Sequence, residues 1–291
     1  MKTKQDIADW LDEHQIRFTT LSDTIWDNPE LQFKEFKSSK LQADFLEKEG
    51  FTITWDVGGM NTAFMAEWGD GKPVIAFAGE YDALPGLSQK DQNTPDPIIP
   101  DYAGHGCGHN LLGTGCLAAA VGFKEWLQSS GHAGTVRYYG CPAEEGGSGK
   151  VFMGRAGAFD DIDATFNWHP GYINSAMKGS MLGVNRFTFK FKGKTAHAAA
   201  DPHSGRSALD AVELMNVGVN YLREHVTDDV RIHYIIVNGG LAPNVVPDKA
   251  ESRYYIRAPA PRNLANVTPP APQTPQRPPT MTQPAPNPPP E

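Results

Sequence analysis

The chain has 291 residues, of which 40% are hydrophobic, with a formal net charge of −8 and a pI near 5.6. That is enough apolar residue for one large domain or two ordinary ones, and the acidic balance, with no basic run, argues against a phosphate-backbone partner because no cationic excess exists to displace counterions. Three cysteines do not make a disulfide framework, the start lacks the apolar core of a signal peptide and no apolar stretch approaches a membrane span, so the expectation is a protein of the cytoplasm.

Ile7, Trp10, Leu11, Phe18, Leu21 and Ile25 recur at helical spacing, which predicts one helix ending before Asn28-Pro29. A second helix is expected through Leu41, Phe45 and Leu46, capped by Gly50. The period then changes to short β-rich runs at residues 51–57, 62–68 and 73–79, divided by glycine turns. After a Pro- and Asp-rich loop over residues 82–104, residues 110–128 read as a buried helix with Gly113, Gly115, Ala118 and Ala119 on its packing side. Strands at 135–141 and 164–168 and a helix at 150–157 complete an alternation that points to a partly parallel α/β sheet.

Near Gly179 the pattern shifts. Residues 184–192 alternate apolar and polar as a half-exposed antiparallel strand does, followed by a helix at 207–225 and strands at 231–237 and 250–257. The reading is a small α+β domain over residues 181–258, inserted after a first domain over residues 1–180. From Pro259 onward lie thirteen of the chain's 24 prolines and almost no large apolar residue, so residues 259–291 read as a disordered, polyproline-II-like tail.

The chemistry concentrates at the ends of strand-like runs. In His105-Gly-Cys107-Gly-His109, glycine lets the backbone fold tightly enough for a thiolate and an imidazole to converge on one ion, a donor pair suited to zinc, or to manganese once carboxylates join. Glu144-Glu145 follow the strand at 135–141. A cation resolves the conflict of adjacent carboxylates, one ligating while its neighbour takes a proton from water. His169 follows the strand at 164–168, and Glu80-Tyr81-Asp82 follow that at 73–79, with Asp82 placed to orient a ligating imidazole. Ligand groups of open α/β sheets gather at such carboxyl ends. A competing reading makes Cys107 a covalent nucleophile paired with His109, which leaves Glu144-Glu145 without a task. Residues 146–150 fail as a phosphate loop and residues 147–150 as a nucleophile elbow, because the required Gly and Ser/Thr positions are wrongly filled.

On these residues, and on the stretches 80–86, 104–110, 139–147 and 204–225, the chain resembles the M20 family of metallopeptidases and amidohydrolases, in its Cys-Gly-His subgroup. The resemblance runs from about Trp10 to Pro259. It implies a zinc-peptidase-like α/β/α catalytic domain with an inserted ferredoxin-like lid and dimerisation domain. It further implies that Cys107, His109, Glu145 and His169 bind one or two Mn2+ or Zn2+ ions, that Glu144 is the general base and Asp82 a catalytic accessory, and that His197 of the lid steadies an oxyanion in a neighbouring subunit. Asn244 and Arg257 would contact a substrate carboxylate. The implied reaction is hydrolysis of an N-acyl amino acid amide such as p-aminobenzoyl-glutamate, by a homodimer or a heterodimer with a related A-type subunit.

The family pattern continues past the lid into further elements and a last metal-ligating histidine, whereas none of the nine histidines here lies beyond His233. The sequence therefore also admits a second reading, a truncated, non-catalytic remnant that binds metal or pairs with an intact subunit.

Overall fold

The computed structural model describes residues 3–176, 179 and 181–267. The chain divides into two compact units, Met1–Asn174 and Ser175–Glu291.

The first unit opens with α1 (Lys4–Glu13) and α2 (Gln15–Trp26), where periodicity predicted a single helix. The break falls at His14, whose ring stacks on Trp10 and whose Nδ1 donates to the Trp10 carbonyl at 2.7 Å. A side chain that takes up a helical carbonyl competes with the backbone ladder, and apolar spacing cannot register that. Next come α3 (Phe36–Lys48), β1 (Thr52–Trp55), β2 (Phe64–Asp70) and β3 (Val74–Glu80), then the long helix α4 (His109–Ser130). The unit closes with β4 (Gly134–Cys141), α5 (Gly149–Arg155) and β5 (Ala164–Phe166).

The five strands form one mixed sheet in the order β1-β2-β4-β3-β5, with β4, β3 and β5 parallel. Because side chains alternate across a strand, each face has its own core. Phe64, Ala66, Val136 and Tyr138 pack with Ile25, Leu46, Leu112, Leu117 and Val121 of α2, α3 and α4. On the opposite face Ala76, Ala78, Tyr139 and Cys141 pack with Met153 of α5 and with Phe159. The result is the expected three-layer α/β/α arrangement. No helix among the described residues is long and apolar enough to cross a membrane.

Register decides where the strands end. Glu80 pairs with Cys141 between β3 and β4, and Phe77 pairs with Phe166 between β3 and β5. The carboxyl ends of β3 and β4 therefore finish level, while β5 stops three residues short of the end of β3, and His169 follows three residues after it.

In the second unit β6 (Gly183–Lys192), α6 (Ala208–Leu222), β7 (Arg231–Asn238) and β8 (Lys249–Ala258) make an antiparallel sheet in the order β6-β8-β7. Ser207 caps α6, its hydroxyl accepting from the Asp210 backbone N–H at 3.1 Å. A further helix, α7 (Pro261–Val267), lies beyond the point where the sequence was read as tail. Leu264 and Val267, three residues apart, join Tyr254 and Ile256 in the core of this unit. Two apolar residues on one helical face outweigh the local proline content, which corrects the boundary at Pro259. The rest of the expected tail, residues 268–291, lies outside the described residues.

Candidate metal centre

Each group at the centre is delivered by a strand end or a helix start. Glu80 is the last residue of β3, and Asp82 lies two residues beyond it. Gly108, with φ +72, makes the left-handed turn that starts α4, so that His109 is its first residue. Glu144 and Glu145 sit in the turn after β4, and His169 lies three residues past β5.

The four segments converge. Donor atoms of Cys107, His109 and His169 lie within 4.8 Å of one another, and so do those of Glu80, His109, Glu144 and His169. The His109 ring is fully buried, and its Nδ1 lies 3.0 Å from both the Asp82 carboxylate Oδ1 and the Asp82 carbonyl. Both are acceptors, so Nδ1 carries the proton and Nε2 turns its lone pair into the centre. Asp82 also accepts from the Glu145 backbone N–H at 2.9 Å through its other oxygen, tying the His109 helix to the glutamate turn. Glu144 Oε2 and Glu145 Oε1 each stand 3.9 Å from His109 Nε2.

The residues fit a cation. Glu80 Oε2, His109 Nε2 and Glu145 Oε1 are buried and have no hydrogen-bond partner among the described residues. Orphaned buried polar atoms are rare, and here three of them face a common point. Burial pushes the Cys107 thiol up to about 11, with Glu145 and Glu144 adding to the rise. A thiol held protonated by neighbouring carboxylates is a poor nucleophile, which weighs against the covalent reading of Cys107. A cation among the same carboxylates reverses the balance and favours the thiolate. Burial and the Glu144 charge also raise Glu145, although His109 opposes them. Burial alone would lower His109, yet Asp82, Glu80 and Glu145 together raise it. Neighbouring negative charge contributes to all three shifts.

Asp82→Asn is expected to weaken divalent-metal binding by about 10- to 100-fold, the usual effect of losing a carboxylate behind a ligating histidine. Isothermal titration of the full chain with Zn2+ or Mn2+ measures it. Unchanged affinity would show that Asp82 does not govern the His109 ring.

Three residues with no assigned task in the sequence reading contribute to the centre. Glu80 ends an otherwise apolar strand, which is the signal that could have singled it out; its Oε2 stands 3.2 Å from His109 Nε2 and 3.1 Å from His169 Nε2. Lys150, set aside with the failed phosphate loop, pairs with Glu80 Oε1. Burial opposes its charge, but Cys141 and Glu80 hold its pKa above the ordinary value.

Glu35, just before α3, is completely buried. One of its oxygens accepts the backbone N–H groups of Phe33 and Ala143, both at 2.9 Å, and the other accepts the Thr62 hydroxyl at 3.1 Å. Phe33 and Ala143 both have positive φ, 60° and 56°, so Glu35 clamps two unfavourable backbone turns, one of them directly before Glu144. Burial, more than the nearby Asp82, pushes Glu35 from 4.5 up to about 7. Between those values the native state keeps a proton that the unfolded chain has released, so this group's contribution falls as pH rises across the window. The stability of wild type relative to Glu35→Gln should therefore decline from about pH 4.5 to about pH 7. Parallel melting curves at each pH test it, and a constant difference would refute the shift.

The remaining expected site residues belong to the second unit. His197 pairs with Val245, which adjoins Asn244, and the Ala198 N–H donates to the Asn244 carbonyl at 3.0 Å. His197 Nδ1 accepts from the Ala199 and Ala200 N–H groups at 3.2 and 3.1 Å, which places its proton on Nε2 as a free donor. Arg257 lies on β8, and its Nε donates to His233 Nε2 at 3.3 Å.

Comparison with known proteins agrees with this geometry. The model of peptidase family M20/M25/M40 matches residues 76–268. The chain is 51% identical over 263 residues to the B-type subunit of p-aminobenzoyl-glutamate hydrolase from Escherichia coli, covering 90% of this chain and 55% of that protein. It is 36% identical over 277 residues to the Xaa-Arg dipeptidase of Mus musculus, covering 91% of this chain and 60% of that protein. It thus spans little more than half the length of these two relatives. Among solved structures, a dinuclear metal-binding M20 peptidase from Bacillus subtilis superposes with TM-score 0.58 at 25% identity, covering 87% of this chain and 66% of that one. An aminobenzoyl-glutamate utilization protein from Klebsiella pneumoniae shares the fold, with TM-score 0.64 at 20% identity over 90% of this chain and 71% of that one.

Proposed function

The chain belongs to peptidase family M20/M25/M40, and from that premise we propose that it is a metal-dependent amidohydrolase cleaving the amide bond of an N-acyl amino acid, with p-aminobenzoyl-glutamate the first substrate to test. The observation that carries this reading is the meeting of donors from four chain segments in two overlapping groups, Cys107, His109 and His169, and Glu80, His109, Glu144 and His169, each within 4.8 Å. Cys107, His109, Glu145 and His169 would hold one or two divalent ions, Mn2+ or Zn2+, with Asp82 fixing the His109 tautomer. When bound, such an ion supplies positive charge that polarises the scissile carbonyl and makes nearby water more acidic.

The protein's own groups do the rest. Glu144 takes a proton from the attacking water and returns it to the leaving nitrogen, so that one water and one amide become a carboxylic acid and an amine. The protonated Nε2 of His197 is the donor proposed for the developing oxyanion. The amide of Asn244 and the guanidinium of Arg257 are proposed to engage the substrate's carboxylate, a task suited to a guanidinium fork. The second unit is proposed to carry a dimerisation surface, and the Escherichia coli relative is by name one subunit of its hydrolase. Either a second copy or a related A-type subunit is therefore the proposed partner. Cys107, Cys116 and Cys141 are all free thiols, which fits the proposed cytoplasmic setting.

The test is release of glutamate from p-aminobenzoyl-glutamate by the metal-loaded chain. Turnover that is abolished by chelation and restored by Mn2+ or Zn2+ supports the proposal. Absence of turnover in folded, metal-loaded protein, alone and with an A-type partner, rejects it in favour of the non-catalytic reading.

A further inference from the structure

We propose that Glu80 is itself a metal ligand, binding through Oε2 alone while Lys150 pins its other oxygen; this rests on the metal-centre reading above.

Glu80 ends β3 and is completely buried, a position where a carboxylate costs several kcal/mol unless both oxygens are engaged. Oε1 is engaged by the Lys150 ammonium. Oε2 is not hydrogen-bonded, yet it stands 3.2 Å from His109 Nε2 and 3.1 Å from His169 Nε2. The His109 proton is committed to Asp82 on the far side of the ring. Nε2 therefore brings a lone pair against the carboxylate's own lone pairs, which is repulsive unless positive charge lies between them.

No hydrogen bond joins the two atoms. A cation set off the line between them satisfies both atoms. In a tetrahedral shell with donor distances of about 2.0–2.1 Å, neighbouring donors lie about 3.3 Å apart. The separations of 3.2 and 3.1 Å around Glu80 Oε2 are close to that spacing. Glu80, His109, Glu144 and His169 make one donor group, while Cys107 shares His109 and His169 in a second. Lys150 has two effects: it prevents Glu80 from binding through both oxygens, and it offsets one negative charge in a centre rich in carboxylates.

Titration of the full chain with Zn2+ and with Mn2+, with bound metal counted by elemental analysis, tests the assignment. Glu80→Gln, which preserves shape, should weaken binding at least about 10-fold and lower the metal bound per chain, as should Cys107→Ser. Glu80→Asp keeps the charge beside Lys150 but withdraws the oxygen by one methylene, so the same loss there identifies ligation rather than charge. Far-UV circular dichroism matching wild type confirms that each variant folds. Wild-type affinity in Glu80→Gln or in Glu80→Asp overturns the assignment of Glu80 and leaves the centre standing. Wild-type protein that takes up neither ion overturns both.

Discussion

Glu144→Gln is expected to lower kcat for amide hydrolysis by about 10²- to 10⁴-fold, the range for loss of a general base, with metal content unchanged. The argument lies in how two adjacent carboxylates differ. The Glu145 side chain is 21% exposed and that of Glu144 35%. Glu145 Oε1 is buried without a partner, whereas the Glu144 carboxylate reaches toward solvent from the same turn, as exchanging protons with water requires. The left-handed Ala143 before them is held by Glu35. Glutamine keeps the shape of Glu144 and removes its basicity, so kcat should fall while KM and bound Zn2+ or Mn2+ hold. Loss of metal together with activity would make Glu144 a ligand, and undiminished kcat would remove it from catalysis.

The second large effect is structural. Gly113→Ala should destabilise the first unit by about 2–3 kcal/mol, within the usual range for overpacking, and lower its Tm by about 5–10 °C. On propensity alone the change should help, since alanine is favoured over glycine inside a helix by about 1 kcal/mol. Packing overrides this. A Cβ at Gly113 would lie 2.2 Å from the Glu80 carbonyl oxygen and 2.6 Å from the Gln42 amide nitrogen. The first contact is backbone and cannot step aside, so α4 must move off β3. The same spot is held by the Tyr138 hydroxyl, which bonds Gln42 Oε1 at 2.6 Å and the Gly113 carbonyl at 3.2 Å. His109 lies about one helical turn away, so metal affinity should fall with stability. Gly115→Ala is the control: its nearest neighbour is the Trp168 indole at 3.1 Å, an exposed side chain free to shift, so the change should be neutral or stabilise by up to about 1 kcal/mol. Thermal melts of the three proteins decide it, and equal Tm values for wild type and Gly113→Ala would refute the packing argument.

Much of the centre was legible because its donors follow recognisable strands. Cys107, His109, Glu144, Glu145 and His169 each sit in a short motif whose spacing carries chemical meaning, and Asp82 was placed by its distance from a strand end. Glu80 was harder to see. Its importance comes from register, which brings it level with Cys141, and pairing partners are not written into local periodicity. Glu35 was invisible for a similar reason, since its Ala143 partner lies 108 residues away in sequence. Gly113, Gly115, Ala118 and Ala119 were read as a packing side; Gly113 is buried against β3 and Ala118 packs on the core, whereas Gly115 is exposed. A helix rich in small residues does not announce which of them faces the sheet. The helix break at His14 and the extra helix at Pro261–Val267 were missed where one side-chain hydrogen bond or two apolar contacts outweighed composition.

The strand order β4-β3-β5 has a temporal consequence. β3 leaves the ribosome first of the three yet occupies the middle, so its two neighbours can zip onto it only after much more polypeptide has emerged. Until β5 docks, the centre lacks His169, the one donor shared with His109 by both donor groups. The full donor set of the proposed centre is therefore assembled only when the sheet closes.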